Sequence, residues 1–243
     1  MKGTLTSLLF ALVASLACIA GGVMATQHKW ARRSLRYFIA LGAGFMLGAV
    51  FIEMVPKSIE LTGIAASSWV LVGYLIVHAF EHAFASHLHF GEEIHHDEVG
   101  HASVEFSALV GLLVHSFFDG VSIGAAFYVE KGLGFLVFLA QFLHKIPDGF
   151  TISSMFVASG HANSRALGAS AALGVSTLAG VLALSLAGDA AAAYALPLAA
   201  GSMLYVAATD LMPEANRETG VRMAFVVFAG VGLFFLAKTF AGE

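Results

Sequence analysis

Two short segments of this sequence place ionisable residues inside long apolar stretches. Residues 115–120 read His-Ser-Phe-Phe-Asp-Gly, and residues 144–149 read His-Lys-Ile-Pro-Asp-Gly. In each segment a histidine precedes an aspartate by four residues, so the two side chains share one face of a helix. An ionisable group at the centre of a membrane costs about 2.5–3.5 kcal/mol on insertion scales. Four such groups on two consecutive helices therefore need a compensating partner.

The composition around these segments is that of a membrane protein. Of the 243 residues, 58% are hydrophobic and 12% are charged, whereas an average soluble domain is roughly 25% charged. This excludes a disordered chain, a nucleic-acid binder and an ordinary soluble enzyme. Cys18 is the single cysteine, which excludes an internal disulfide and a thiolate metal cluster. We expect an integral membrane protein that contacts the lipid bilayer and uses no organic cofactor.

Eight apolar stretches between clusters of charge predict an all-α polytopic protein, with residues 1–243 forming one transmembrane domain. The predicted spans are about 4–26, 34–56, 65–88, 103–128, 132–158, 164–187, 191–212 and 221–240. The first stretch is interpreted as a span and not as a secretory signal, because the basic cluster at 29–36 follows it. Placing that cluster in the cytoplasm puts both termini outside.

Two internal repeats are visible in the sequence. Residues 44–56 align without gaps on residues 201–213, and the segment at 115–120 aligns on the segment at 144–149. The chain is therefore predicted to contain three spans, a central pair and three more spans. The second and seventh spans run in opposite directions in this topology, so the repeat is inverted. Inverted repeats with polar groups near the midplane are typical of transporters.

The central pair predicts a divalent metal site made of two imidazoles and two carboxylates, a set that suits zinc or iron. Its ligands are His115, Asp119, His144 and Asp148. The alternative is a pair of buried His–Asp contacts that only hold the bundle together. Gly120, Gly149 and Pro147 predict that both helices are broken beside the ligands.

The two central segments resemble the motifs of the fourth and fifth spans of the ZIP (Zrt-, Irt-like) metal transporters. Glu-Met-Val-Pro at 53–56 and Asp-Leu-Met-Pro-Glu at 210–214 are similar to the corresponding ZIP helices. The resemblance implies an eight-helix fold with extracellular termini, and a transporter that is not an enzyme. It implies that the four ligands named above carry Zn²⁺ into the cytoplasm, with Fe²⁺, Mn²⁺ and Cd²⁺ as further candidates. A homodimer is a candidate assembly, but the sequence does not determine the oligomeric state.

The sequence departs from many ZIP proteins directly after the two histidines. An asparagine and an acid that help to hold a second metal in those proteins are here Ser116 and Lys145. Because a lysine ammonium repels a nearby cation, we expect a single-metal site with Lys145 in place of the second metal. An ion pair of Lys145 with Asp119 or Asp148 is the expected partner for that ammonium.

Other polar residues are candidate accessory ligands. Gln141 lies three residues before His144, and Glu53 and Asp210 lie near span ends, where they are either gate ligands or simply interfacial. His78 and His82 share a helix face beside Glu81. They either form an exit relay for the ion or are buried histidines with a structural role. Met46 either offers a soft sulfur ligand or only packs in the core.

The loop at 87–101 is predicted to be cytoplasmic and rich in metal-binding histidines. Its histidines are His87, His89, His95, His96 and His101. The alternative is a solvated acidic loop. Two other functions stay open: an intramembrane zinc-dependent hydrolase, and a metal sensor without transport. Compact loops without a cleavable signal favour a bacterial inner membrane.

Overall fold

A computed structural model describes residues 3–27, 32–84, 104–217 and 221–241. Within these ranges the secondary structure is helical, with ten α-helices and two π-helical segments. The all-α prediction is confirmed. The histidine-rich loop at 87–101, with its five histidines, lies outside the described residues.

The helices follow one another with short connections. They are α1 (Thr4–Thr26), α2 (Arg32–Gly48), α3 (Val55–Thr62), α4 (Ala65–Phe84), α5 (Val104–Val129), α6 (Lys131–Ala158), α7 (Asn163–Ala187), α8 (Asp189–Tyr205), α9 (Met212–Asn216) and α10 (Val221–Ala241). The π-helical segments are π1 (Ala49–Met54), between α2 and α3, and π2 (Val206–Leu211), between α8 and α9.

Six helical segments of the described chain are long and apolar enough to cross a membrane. They are Thr4–Thr26, Leu35–Thr62, Glu105–Val129, Asn163–Ala187, Ala191–Asn216 and Val221–Ala241. Helices α4 and α6 are 20 and 28 residues long, but polar residues lower their mean hydropathy. In α6 these include Lys145 and Asp148, and in α4 they include Glu81. The polar residues of the candidate site thus lower the mean hydropathy of α6 below that of the six apolar segments.

The two π-helical segments occupy equivalent positions of the sequence repeat, 157 residues apart. In π1 the Val55 N–H donates to the Val50 carbonyl, and in π2 the Met212 N–H donates to the Ala207 carbonyl. Both bonds span five residues. Pro56 and Pro213 follow directly and have no N–H to donate, which favours a locally widened helix. The helices continue past both prolines, to Thr62 and to Asn216.

The predicted helix breaks beside the central ligands were wrong. Helices α5 and α6 run without interruption through both segments, with Pro147 inside α6. The two glycines instead allow neighbouring backbones to approach. A Cβ on Gly120 would lie 1.9 Å from the Thr177 carbonyl oxygen of α7, and one on Gly149 would lie 1.8 Å from the Cys18 carbonyl oxygen of α1. Small residues at such crossings are common in membrane helices.

The close contacts that α1 makes with α6 have equivalents between α7 and α5. A Cβ on Gly21 would lie 2.0 Å from the Ile146 oxygen, and one on Gly180 would lie 2.0 Å from the Phe117 oxygen. Ile146 and Phe117 are 29 residues apart, as are His144 and His115. Helix α1 therefore packs on α6 as α7 packs on α5.

A second set of glycine contacts relates the outer helices. Helix α2 packs on α10 through Gly44 and Gly230, and α4 packs on α8 through Gly73 and Gly201. Between α2 and α10, a Cβ on Gly44 would lie 2.0 Å from the Val227 oxygen, and one on Gly230 would lie 2.2 Å from the Leu41 oxygen. Between α4 and α8, a Cβ on Gly73 would lie 2.0 Å from the Leu198 oxygen, and one on Gly201 would lie 1.9 Å from the Val70 oxygen. Each residue has its counterpart 157 positions away. The repeat thus also relates α4 to α10, for which no sequence motif was identified above.

We predict that Gly230→Ala lowers the melting temperature of the purified protein, whereas Gly232→Ala on the same helix leaves it unchanged. A Cβ at Gly230 would collide with the Leu41 oxygen, while nothing lies within 4 Å of one at Gly232. Overpacking of this kind costs about 1–3 kcal/mol. Thermal unfolding in detergent measures both variants, and equal losses at the two positions would contradict the packing described here.

Candidate metal centre

Helices α5 and α6 bring the two histidines of the central segments into contact. The Nε2 atoms of His115 and His144 lie 3.4 Å apart. His144 is fully buried, and the side chain of His115 is 11% exposed. Two ring nitrogens at this separation cannot both carry a hydrogen toward each other without repulsion, so at least one presents a lone pair to the space between them.

The two aspartates complete the cluster. His115 Nε2 lies 3.3 Å from Asp119 Oδ2 and 3.8 Å from Asp148 Oδ2, and His144 Nε2 lies 3.5 and 3.7 Å from the same two oxygens. One ligand atom from each of the four residues falls within 4.8 Å of the others. Tetrahedral zinc with bonds of about 2.0–2.1 Å places its ligand atoms roughly 3.3–3.4 Å apart. Small side-chain movements would bring all four atoms to that spacing.

The orientation of the His144 ring suits a metal ligand. Its Nδ1 lies 3.1 Å from the carbonyl oxygen of Ala140, one turn earlier on α6. A carbonyl oxygen can only accept, so Nδ1 carries the hydrogen, and in the neutral imidazole Nε2 then has a lone pair. Metal-ligating histidines commonly use their second nitrogen in this way. The lone pair of His144 therefore points into the cluster.

Lys145 forms the predicted ion pair, and it does so with both aspartates. Its Nζ lies 2.6 Å from Asp119 Oδ2 and 3.5 Å from Asp148 Oδ2, and it donates a hydrogen bond of 2.8 Å to Ser116 Oγ. The lysine is fully buried. With neutral imidazoles the cluster carries two negative charges and one positive charge. One divalent cation would bring its charge from −1 to +1, and a second would bring it to +3.

Residues that are equivalent in the repeat contact each other at two places. His115 and His144 do so in the cluster. Helices α1 and α7 are related by 159 residues, as Gly21 and Gly180 are, and the Ser15 hydroxyl donates a hydrogen bond of 2.8 Å to the carbonyl oxygen of its equivalent, Gly174. Atoms related by a two-fold axis can only touch near that axis. The candidate metal centre therefore lies where equivalent segments of the repeat meet.

The two ends of the bundle differ in charge. Glu53 forms an ion pair with Lys238. The counterparts of these two residues, 157 positions away, are Asp210 and Glu81. Glu81 and Asp210 interact electrostatically, and Glu81 also contacts the Tyr205 hydroxyl. One end thus pairs an acid with a lysine, while the other end brings two acids together.

The other predicted accessory residues lie outside the four-residue cluster. The rings of His78 and His82 on α4 contact each other in a tilted arrangement, with 4.1 Å between their centroids. The His78 ring also contacts Tyr205, so the pair lies at the end that holds Asp210. Both are exposed. Met46 is fully buried in the hydrophobic core. Gln141 is also fully buried, and neither of its side-chain polar atoms has a hydrogen-bond partner among the described residues.

Some residues of the centre were not singled out by sequence reasoning. The Ser116 hydroxyl was noted only as a departure, yet it binds Lys145. The ion-pair partner of Glu53 was not found, because Lys238 lies 185 residues away in the sequence. The offset of 157 residues, which aligned Glu53 with Asp210, also aligns Glu81 with Lys238. Extending that alignment could have singled out Glu81 and Lys238 as residues to compare.

Comparison with known proteins agrees with the resemblance of the motifs. The family description "ZIP Zinc transporter" matches residues 91–238, more than half of the chain. This chain belongs to the ZIP family. The matched region includes all four residues of the candidate metal centre and Lys145.

Individual relatives of this ZIP protein are named zinc transporters. Zinc transporter SLC39A7 of Homo sapiens is 30% identical over 129 residues, which cover 49% of this chain and 28% of that protein. Zinc transporter ZIP9-B of Xenopus laevis is 24% identical over 256 residues, which cover 85% of this chain and 84% of that protein. The chain thus spans less than a third of the human relative. These relatives are animal proteins, which gives no support to the predicted bacterial inner membrane.

We predict that Lys145→Met strongly destabilises the metal-free protein. The substitution would leave two buried carboxylates without their cation, and breaking a buried ion pair costs about 3–5 kcal/mol. Adding Asp119→Asn should restore much of the melting temperature, because one of the two uncompensated charges is then removed. A Lys145→Met variant that melts like the wild type would contradict the charge balance described above.

Proposed function

We propose that this ZIP protein transports a divalent metal ion, Zn²⁺ above all, through the site formed by His115, Asp119, His144 and Asp148. The observation that carries the proposal is the convergence of one ligand atom from each residue within 4.8 Å. The names of the relatives support zinc as the cargo. Fe²⁺, Mn²⁺ and Cd²⁺ are further substrates of the proposal, since imidazole and carboxylate ligands also suit such ions.

The proposed site holds one metal ion at a time. Lys145 is fixed between the two aspartates and supplies the positive charge that a second metal would otherwise bring. A site with net charge −1 attracts a divalent ion, but it does not hold the ion as strongly as two free carboxylates would. Moderate affinity suits a transporter, because the ion must also leave.

The proposed architecture is eight spans in an inverted repeat of three, two and three, with both termini outside. Support comes from the pairing of Arg36, near the start of α2, with Glu214 in α9, at 3.3 Å. This contact fits α2 and α8 running in opposite directions. Seven Lys and Arg residues then lie on the cytoplasmic side and four on the outer side, as the positive-inside rule requires.

Alternating access follows from the placement of the site on the pseudo-two-fold axis. A site on the axis is reached equally well from either end when the two repeats exchange their conformations. In the proposed route the ion enters past Glu53 and leaves past Asp210 and Glu81, toward His78, His82 and the histidine-rich loop. Transport is directed into the cytoplasm.

The unequal charges of the two ends favour one resting state in this scheme. Attraction between Glu53 and Lys238 holds the outer end closed, while at the inner end Glu81 lies beside Asp210 and not beside a lysine. An incoming cation competes with Lys238 for Glu53. A cation leaving the site meets two acidic side chains that form no ion pair with a lysine or an arginine among the described residues.

The experiment that tests the function is uptake of ⁶⁵Zn²⁺ into proteoliposomes. Asp119→Ala/Asp148→Ala should reduce uptake to the level of protein-free vesicles, because both charged ligands are lost. Glu60→Ala, at an exposed carboxylate outside the site, is the control and should transport like the wild type. Glu53→Gln and Asp210→Asn should each lower uptake by about tenfold or less, because they alter the route and leave the site intact.

Wild-type protein that is folded and binds zinc but shows no flux would overturn the transport proposal. Turnover of lipid or peptide by that protein would then favour a hydrolase, and binding without either activity would favour a sensor. Equal uptake by the wild type and the double variant would place the path elsewhere in the protein.

A further inference from the structure

Gln141 is a buried polar side chain that makes no side-chain hydrogen bond among the described residues. It is 0% exposed, and neither Oε1 nor Nε2 has a hydrogen-bond partner among the described residues. Leaving an amide buried and unpaired is unfavourable, and native proteins rarely do so without a functional reason. An apolar residue of similar size would avoid this penalty. At the equivalent position of α5 the chain indeed has one, Leu112.

Helix geometry places Gln141 on the side of α6 that carries the metal centre. With about 100° between consecutive residues, Gln141 and Asp148 point in nearly the same direction, and His144 and Lys145 lie to either side of that direction. All four side chains are 0–1% exposed. The side chain of a helical residue leans toward the N-terminus of its helix, so the His144 ring covers the turn that contains Gln141. The hydrogen bond from His144 Nδ1 to the Ala140 oxygen agrees with this direction.

Gln141 lies toward the same end of the bundle as Glu53. Helix α6 begins at Lys131, next to Glu130, and Glu130 pairs with Lys57 of α3 at 3.3 Å. Lys57 is one turn after Glu53. Going along α6 from that end, Gln141 precedes His144 and Asp148. An ion that comes from the Glu53 end would therefore meet the carboxamide before it reaches the two later residues.

We propose that Gln141 is an additional oxygen ligand of the transported ion, on the Glu53 side of the site. This inference rests on the proposed function and specifies its substrate class. The carboxamide oxygen adds a neutral hard donor to two nitrogens and two carboxylate oxygens, so it completes a five-coordinate shell without changing the net charge. Zinc is commonly satisfied by four ligands, whereas Mn²⁺ takes more and prefers oxygen. Gln141 thus extends the cargo to ions that need more than four ligands.

The test is direct titration of purified protein in detergent with Zn²⁺ and, separately, with Mn²⁺. Binding that persists in Asp119→Ala/Asp148→Ala is subtracted, which removes the contribution of the histidine-rich loop. Gln141→Leu, which copies the residue found at position 112, should raise the Kd for Mn²⁺ about tenfold or more and the Kd for Zn²⁺ about threefold or less. Gln141→Glu keeps an oxygen donor and adds charge, so it should tighten both ions and slow the release of Zn²⁺ in uptake assays.

The control is Ser153→Ala on the same helix. Ser153 is equally buried, but its hydroxyl donates to the Ala166 carbonyl oxygen of α7. Its loss should change the melting temperature and leave both Kd values unchanged. Gln141→Leu protein that is at least as stable as the wild type and binds both ions with unchanged Kd would overturn the inference. Because binding is measured without flux, that result differs from a failure of transport, in which the wild type itself moves no ion.

Discussion

The structure depends on charge balance among ionisable groups buried in the middle of a helical bundle. Asp119 and Asp148 are each at most 3% exposed, and they are held apart from water by the packing of α5 and α6. Lys145 reaches both carboxylates, and Ser116 accepts one of its remaining hydrogens. Two imidazoles then supply neutral nitrogen donors. With neutral imidazoles, the two carboxylates and the ammonium leave this arrangement with one net negative charge.

The internal repeat explains why these ionisable groups lie together between α5 and α6. Reciprocal glycine–carbonyl contacts pack α1 on α6 and α7 on α5, and they place His115 beside its equivalent, His144. An offset of 157 residues relates the two π-helical segments to each other, and it also relates the two outer helix pairs. The differences between the repeats are as informative as the similarities. The counterparts of Lys145, Gln141 and Lys238 are Ser116, Leu112 and Glu81, so the two copies of the repeat differ in their polar and charged groups.

Much of the site could be predicted from the sequence because its ligands are local. A spacing of four residues defines a helix face, so His115 with Asp119 and His144 with Asp148 were found directly. Their contact across helices was suggested by the repeat, and the ion pair of Lys145 by the cost of burying a charge. Residues far apart in sequence, such as Glu53 and Lys238, could not be paired in this way. The glycines and Pro147 were misread as helix breaks, because the sequence alone does not reveal which neighbouring backbone approaches them.

The proposed site holds one divalent ion on the pseudo-two-fold axis between His115 and His144, with Lys145 in place of a second ion. Anomalous diffraction at the zinc edge from zinc-loaded crystals would locate that ion. One anomalous peak is expected among the four proposed ligand residues, about 2.0–2.1 Å from both Nε2 atoms, with the Lys145 ammonium still beside a carboxylate. Two peaks flanking Asp119, or no peak between the histidines, would contradict this proposal.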